Sequence, residues 1–519
     1  MFSVPFWLSF LIGFLSLGEE IVWVRTASFA YRTLPPAFSF VLVCYLIGIA
    51  VGAACGKRIC GRVNNLYAAA AVLLSGATLV DVMTPAFIGK IMTPDDTHIG
   101  LAATMIVLNA GLKGTLFPIA HHLGSIGQGP RVGRSMSRIY FGNILGATTG
   151  SLLTGFLALD YLSVDECFEI AAALCLLASL VCVLKSARPL LLFVSAAAAL
   201  IASLTASRLV PPWPGSLATL AVDGRAMNYF IANRHGVVHT TQTPDGDQVF
   251  GGNVYDGTAT IDVDRNQNHL ERVYLFPLAR PQLRQLLFIG LSTGAWVRAS
   301  EDFPGVESID VVEINPAYVR LIQAKYPQLA VLLHDPRIHI HIDDGRRWLR
   351  RNPDARFDAV IQNSTFHWRA NAGNLLSREY LSEVSRHLNP GGMMGANTTG
   401  SFDVLATAQS VFAYAYRYSN FVYASDQPLV LDANRLREIR RPDGNLFAIE
   451  GAPLGSVAAF LGQAHLEPVP EFLIRRHAGA VVITDDNVVS EYAHGHRFGP
   501  ELLRSLAPST PLQFNPTDP

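Results

Sequence analysis

The chain has little charge: Asp, Glu, Lys and Arg make up 16% of its 519 residues, and they nearly balance at a formal net charge of -1. With no basic stripe either, a surface built on phosphate attraction is excluded, and no nucleic-acid partner is expected. Cysteine is scarce and uneven. All six (Cys44, Cys55, Cys60, Cys167, Cys175, Cys182) fall in the first part of the chain. None has paired metal-ligand spacing, so they read as small core residues. The later part has no cysteine and gives no redox clue to its compartment. Histidine does not cluster with Cys or acids beyond the weak set His494, His496 and Glu491, so no metal site is expected. Long apolar runs are absent after residue 207.

What is present before that point is strongly apolar. The mean hydropathy of +0.28 comes from runs at about 4 to 24, 35 to 56, 66 to 84, 99 to 120, 139 to 159, 167 to 184 and 189 to 207. Most reach or approach the roughly 20 residues that cross a bilayer as a helix, which predicts about seven membrane helices. The first run lacks a basic start, holds Glu19 and Glu20 and is followed by further runs, so it is expected to be retained rather than cleaved. The chain is therefore expected in a membrane of the bacterial inner or plasma type, with the lipid bilayer as a partner.

Lys57, Arg58 and Arg62, then Arg131, Arg134 and Arg138, then Lys185 and Arg188 fall in alternate loops. They outnumber Arg25, Arg32 and Lys90 in the opposite ones. The positive-inside rule puts the first set in the cytoplasm. If the run at 189 to 207 also crosses, the later part lies outside. The sequence leaves that side open.

Several polar groups stand out among the apolar runs. Gly142, Gly146 and Gly150 recur at four-residue spacing, which lets a second helix approach closely, and Asn143 beside them would bond across that interface. Glu19 and Glu20 are either intramembrane acids with a function or a helix-end pair for Arg25. Asn109 and Lys113, one turn apart, form a second polar patch able to partner those acids.

Residues 286 to 392 carry the clearest signal of the later part. LLFIGLSTGAWVRA, DVVEIN, HIDDGRRWL, FDAVIQN and LLSREYLSEVSRHLNPGG read as successive strand ends of a nucleoside-binding α/β sheet, whose ligand lies across the strands' carboxyl ends. Gly290 and Gly294 let the backbone pass close to that ligand. Glu313 ends the second strand, placed to accept from ribose hydroxyls, and Asp343 or Asp344 ends the third, placed to accept from an exocyclic amine. The ligand implied is an adenosine.

This series resembles the spermidine synthase family, aminopropyltransferases related to the S-adenosylmethionine-dependent methyltransferases. The resemblance runs over roughly residues 235 to 430 and is best at VVEIN, DDG and LLSREYLSEVSRHLNPGG. It implies a transferase with no permanently bound cofactor, using decarboxylated S-adenosylmethionine or S-adenosylmethionine as cosubstrate and a small-molecule amine as acceptor. A homodimer is compatible with it. SLGEEIVWVR and VVITDDNVVSEY resemble segments of membrane-fused members. Two departures matter: Thr293 precedes Gly294 where the family has Asp before Gly, and Gln362, Asn363 and Ser364 stand where it carries its catalytic Asp.

The acceptor must then be held by other groups. Asp485, Asp486 and Glu271 are the candidate acids, although Asp485 and Asp486 also suit a turn and Glu271 a helix start. Asn363 cannot take a proton but can orient an amine through its carbonyl oxygen. His367, in the loop after the fourth strand, is a candidate base. Phe366 and Trp368 beside it suit a cation or a planar ring.

The expected architecture is a multi-pass α-helical membrane domain over residues 1–208, then a linker and small β subdomain over 209–280. A Rossmann-like, methyltransferase-like nucleoside-binding domain over 281–430 and a C-terminal extension over 431–519 complete it. The Pro-rich end, SLAPSTPLQFNPTDP, is expected to fray. Three functions fit: an aminopropyltransferase, a methyltransferase on a membrane-delivered acceptor, and a non-catalytic protein binding a nucleoside or polyamine.

Overall fold

A computed structural model of the chain describes residues 3–92, 99–127, 129–186, 214–221, 225–363, 366–448, 451–477, 479–487 and 489–492, with scattered positions between 193 and 209. The run at 189 to 207 lies largely outside the described residues, and His494, His496 and the Pro-rich end lie wholly outside them. Two compact units are distinguished, Met1–Gly224 with Ala232–Val237, and Arg225–Ile231 with Val238–Arg497.

The first unit is helical. Its helices are α1 (Val4–Ala30), α2 (Pro35–Arg62), α3 (Leu66–Ile91), α4 (Ile99–Ser125), α5 (Val132–Leu153) and α6 (Val164–Lys185). α5 continues through a π-helical stretch, Thr154–Ala158, to Tyr161. Prolines in the first turns of α1 and α2 fit where no N–H bond is needed. Asn65 caps α3 by accepting from Ala68 N at 3.0 Å, and Ser163 with Glu166 forms a reciprocal capping box for α6. Among the described residues six helices, counting α5 with its continuation, are long and apolar enough to cross a membrane. Their outward faces are apolar as well, with Phe156 65% and Leu184 79% exposed.

The helices pack as α1 with α5, α2 with α4 and α3 with α6. A Cβ at Gly146 would overlap the carbonyl oxygen of Phe10, so α1 and α5 touch backbone to backbone along the Gly142, Gly146, Gly150 row. Asn143 Nδ2 donates to Ser9 O at 3.1 Å across the same contact. A second row, Gly48, Gly52 and Gly56, does the same for α2 against α4, and sequence inspection passed over it. Cys44, Cys175 and Cys182 are buried, but Cys55 is exposed, so the cysteines are not uniformly core residues. Glu19 lies in the middle of α1 and pairs with Lys113 at 2.5 Å, which removes the helix-end pairing with Arg25.

The second unit is α/β. A four-stranded sheet, β1 (Met227–Asn233), β2 (Gly236–Thr243), β3 (Gly246–Gly251) and β4 (Val254–Thr258), leads into α7 (Glu271–Ala279). The main sheet follows with β5 (Gln285–Ile289), β6 (Ser308–Glu313), β7 (Ile338–Ile342), β8 (Phe357–Gln362) and β9 (Leu388–Asn397). β10 (Tyr414–Tyr418), β11 (Phe421–Ser425) and β12 (Glu467–Pro468) complete it. Strand order is β12-β10-β11-β9-β8-β5-β6-β7, parallel from β9 to β7 and antiparallel beyond.

Each central strand buries both faces. Leu286 and Phe288 enter one apolar cluster, and Leu287 and Ile289 another. That is why β5 reads as a continuous apolar run rather than an alternating one. From β5 the chain moves outward through β6 to β7, then returns to place β8 on the other side of β5. This reversal opens a crevice between the carboxyl ends of β5 and β8, the position at which doubly wound sheets bind ligands.

Candidate functional site

The crevice is bounded by Gly290 after β5 and Asn363 after β8. Gly290 has a φ of 95°, and a Cβ there would meet Asn363 O at 2.8 Å. Only glycine satisfies both conditions. The loop then runs through Ser292, also left-handed at φ 50°, to Gly294, which opens α8 (Ala295–Ser300).

Glu313, the last residue of β6, holds this loop. Its Oε2 accepts from Leu291 N at 2.8 Å and its Oε1 from Asn315 N at 2.7 Å. The side chain is 4% exposed. Burial pushes its carboxyl up to about 7, against the amide hydrogen bonds of Asn315, Leu291 and Ser292 that favour the charged form. A carboxylate offers about four lone-pair sites, so acceptor capacity is left for a ligand donor.

Asp256, on β4 of the small sheet, reaches the same loop. Its carbonyl oxygen accepts from Ser292 Oγ and its carboxylate from Tyr318 Oη. Burial pushes Asp256 up to about 6, offset by the Tyr318 bond and the positive charge of Arg369. Its own charge in turn raises Glu313. A buried carboxylate, a half-buried one, a phenol and a guanidinium thus gather beside the Gly290 loop. Asp256, Tyr318 and Arg369 were missed by sequence reasoning. The one available signal was a lone acid, followed by Gly257, in a strand otherwise rich in Thr and Val.

The remaining acids are placed differently. Asp343 is close to Glu313 through its backbone, its N donating to Glu313 O at 3.2 Å. Its carboxylate is engaged by Arg347 and by Arg351 at 3.4 Å. Asp344 caps α9, the helix Gly345–Arg351, accepting from Arg347 N at 2.8 Å. Glu271 opens α7 as a buried residue, bonded by Asn266 Nδ2 at 2.6 Å. Burial alone would raise it, but His269, Arg272 and Asn266 outweigh that and hold it below the usual value.

Asp485 forms a two-pronged pair with Arg346 at 2.7 and 2.6 Å and accepts from Ser377 Oγ at 2.7 Å. The Arg346 bond holds it down at about 2. A cationic acceptor would meet there a carboxylate already paired with Arg346. Asp486 is exposed.

The loop after β8 is clasped by the C-terminal segment. Glu491 accepts from Asn371 N at 2.9 Å and Gly373 N at 2.8 Å, and Ile483 O accepts from Arg378 N at 2.8 Å. Within the loop, the Phe366 and Trp368 rings lie 5.3 Å apart, and Trp368 is buried. His367 Nδ1 lies 2.6 Å from Thr399 Oγ1, whose own proton is directed to Thr398 O at 2.8 Å. That network assigns the ring hydrogen to Nδ1 and leaves Nε2 as the basic nitrogen. Burial pulls His367 down to about 4, so it is neutral at physiological pH and a weak base.

Residues 271–417 match the spermine/spermidine synthase domain. The second unit is spermidine synthase-like. The polyamine aminopropyltransferase of Mycobacterium tuberculosis (strain ATCC 25618 / H37Rv) is 29% identical over 383 residues, covering 69% of this chain and 65% of that protein. An alignment of that extent is longer than the α/β unit and therefore enters the helical one. Spermidine synthase 2 of Datura stramonium is 25% identical over 221 residues, covering 41% of this chain and 68% of its own length. A crystal structure of spermidine synthase in complex with the transition-state analogue AdoDATO covers 46% of this chain and 89% of its own, at 18% identity and a TM-score of 0.38.

Against the spermidine synthase pattern, the departure at the Gly290 loop is accommodated locally. Thr293 is buried and its hydroxyl accepts from Ala295 N at 3.3 Å, opening α8 as an Asp would. Asn363 flanks the crevice itself.

Proposed function

We propose that the protein is a membrane-bound transferase of the spermidine synthase type. It binds an adenosyl sulfonium, decarboxylated S-adenosylmethionine, and passes its aminopropyl group to a small amine. The observation that carries this reading is the buried Glu313 carboxylate, fixed at the carboxyl end of β6 by the glycine loop it holds, beside the switch point. A pair of ribose hydroxyls donating to it would fix the adenosine. The sulfonium would then lie over Gly290, where no side chain intervenes.

The step itself asks for positioning rather than acid chemistry. A neutral amine attacks the propyl carbon attached to sulfur, the carbon–sulfur bond breaks, and its electron pair returns to sulfur as a neutral thioether. The attacking nitrogen then sheds a proton. Asn363 can orient the amine but cannot take that proton, and His367 is a weak acceptor. Asp256, with its carboxyl raised to about 6, is the group beside the loop suited to receive it.

Asn363 also favours a second reading, a methyltransferase using the same adenosine pocket, because such a reaction needs no acid to hold a diamine. Calorimetry of the purified protein with S-adenosylmethionine, its decarboxylated form and methylthioadenosine separates the two, combined with a product assay on putrescine. Preference for the decarboxylated donor and formation of spermidine support the transferase. Preference for S-adenosylmethionine with no spermidine overturns it in favour of the methyltransferase.

A further inference from the structure

We infer that the helical unit binds a primary alkylammonium ion at Glu19, in a cavity walled by α1, α6 and the π-helical stretch that continues α5. The inference does not depend on the transferase reading, because every residue lining the cavity belongs to the helical unit.

The argument begins with charge. Glu19, Asp81 and Lys113 are all essentially buried, so two carboxylates face one ammonium. Lys113 Nζ donates to Glu19 Oε2 at 2.5 Å and to Asp81 Oδ1 at 2.7 Å. Asp81 is further served by Asn109 Nδ2 at 2.7 Å and by the Cys175 thiol on its other oxygen at 3.8 Å. Glu19 Oε1, by contrast, is buried with no donor among the described residues. The unsatisfied acceptor and the carboxyl group with fewer donors therefore coincide on one side chain. A buried carboxylate oxygen without a donor is costly, and within an apolar bundle such a group marks a ligand or ion site.

The neighbourhood states which donor it would take. The cluster already holds an alkylammonium, that of Lys113, between Glu19, Asp81 and the side-chain oxygen of Asn109. Glu19 also lines a cavity whose walls are mainly apolar, including Phe14, Leu153, Ile170 and Leu174. A cation with N–H donors at one end and a short aliphatic chain at the other matches both parts. The wall from Thr154 to Ala158 departs from α-helical geometry, a departure frequently found at functional sites.

The test uses the full-length protein in lipid nanodiscs, titrated with butylamine at neutral pH against empty nanodiscs, with tetramethylammonium as a cation lacking N–H donors. Butylamine should bind saturably and tetramethylammonium should not. Glu19→Gln should lower the affinity about tenfold or more, by removing the charge while keeping a side chain that can still bond Lys113. Ala158→Leu, which fills the cavity without touching the charges, should also lower it and covers the case in which Glu19→Gln does not fold. Glu313→Ala should leave it unchanged. Absence of butylamine binding, equal affinity in Glu19→Gln, or a site that takes up only a proton would overturn the inference. A loss seen in Glu313→Ala instead would move the amine to the α/β crevice.

Discussion

Glu313 offers a measurement that does not require the acceptor to be known. Its carboxyl is raised from 4.5 to about 7 by burial, so at neutral pH the empty site is about half protonated. Ribose hydroxyls donate well only to the ionised form. A bound nucleoside must therefore pull the proton off, and if binding restores the ordinary value, about half a proton leaves per molecule bound at pH 7. Release should grow as pH falls from about 8 toward 6 and vanish below the ordinary carboxyl range. Affinity should accordingly rise with pH and level off above about 7.

The same shift has the opposite sign for stability. The unfolded carboxyl ionises first, so this group favours the folded state most at low pH and loses that contribution as pH rises from 4.5 to about 7. Calorimetry of methylthioadenosine binding in two buffers of different ionisation enthalpy reads the proton directly. Glu313→Gln should abolish the release. It also turns an amide N–H₂ toward Leu291 N or Asn315 N, a loss of roughly 1.5 to 3 kcal/mol per charge-assisted bond, and so at least tenfold in affinity. Binding with no proton change in the natural protein, and unchanged affinity in Glu313→Gln, would refute the placement of the nucleoside at β6.

Asn363→Asp should preserve or raise spermidine formation under the transferase reading, while a fall would show that the side-chain amide itself is required. Asp485→Asn with Asp486→Asn should abolish activity if these acids hold the amine. If they only clip the C-terminal segment to Arg346, activity should survive while limited proteolysis between residues 477 and 492 quickens. Gly146→Leu should drive α1 from α5, because even a Cβ overlaps Phe10 O, and should lower the thermal midpoint in detergent by several degrees or prevent folding, roughly 1 to 3 kcal/mol or more. A reporter fused after Pro519 should signal the outside if the run at 189 to 207 crosses with the other six. A cytoplasmic signal would show that one run does not cross and would give the α/β unit access to cytoplasmic adenosyl compounds.

What was legible in the sequence was whatever leaves a local pattern. The unbroken apolar strands, the turn glycine Gly290 and the acid ending β6 are set by neighbouring residues, so their order along the chain reports the sheet. Partners drawn from distant segments left no such trace. Asp256 meets Tyr318 across 62 positions, and Lys113 meets Glu19 across 94. Asp81, the second carboxylate on Lys113, sits alone in an apolar run and passed unnoticed. Asp344 was legible as an acid after a strand, but not as the cap of the helix that begins there. Spacing identifies where a carboxylate stands, not which hydrogen bonds consume it.

The clasp formed by Ile483, Asp485 and Glu491 bears on how the protein is made. Every described strand of the main sheet is complete by residue 468, yet the loop carrying His367 and Trp368, besides its internal turns and the bond from His367 N to Thr399, is fastened at Asn371 and Gly373 by Glu491, from a segment synthesised after all of them. During translation the sheet can therefore close while the loop beside its crevice still lacks its fastenings. A premature stop near residue 478 would leave a chain with its sheet intact and its pocket unfinished, so abundance and activity would part company in such truncations.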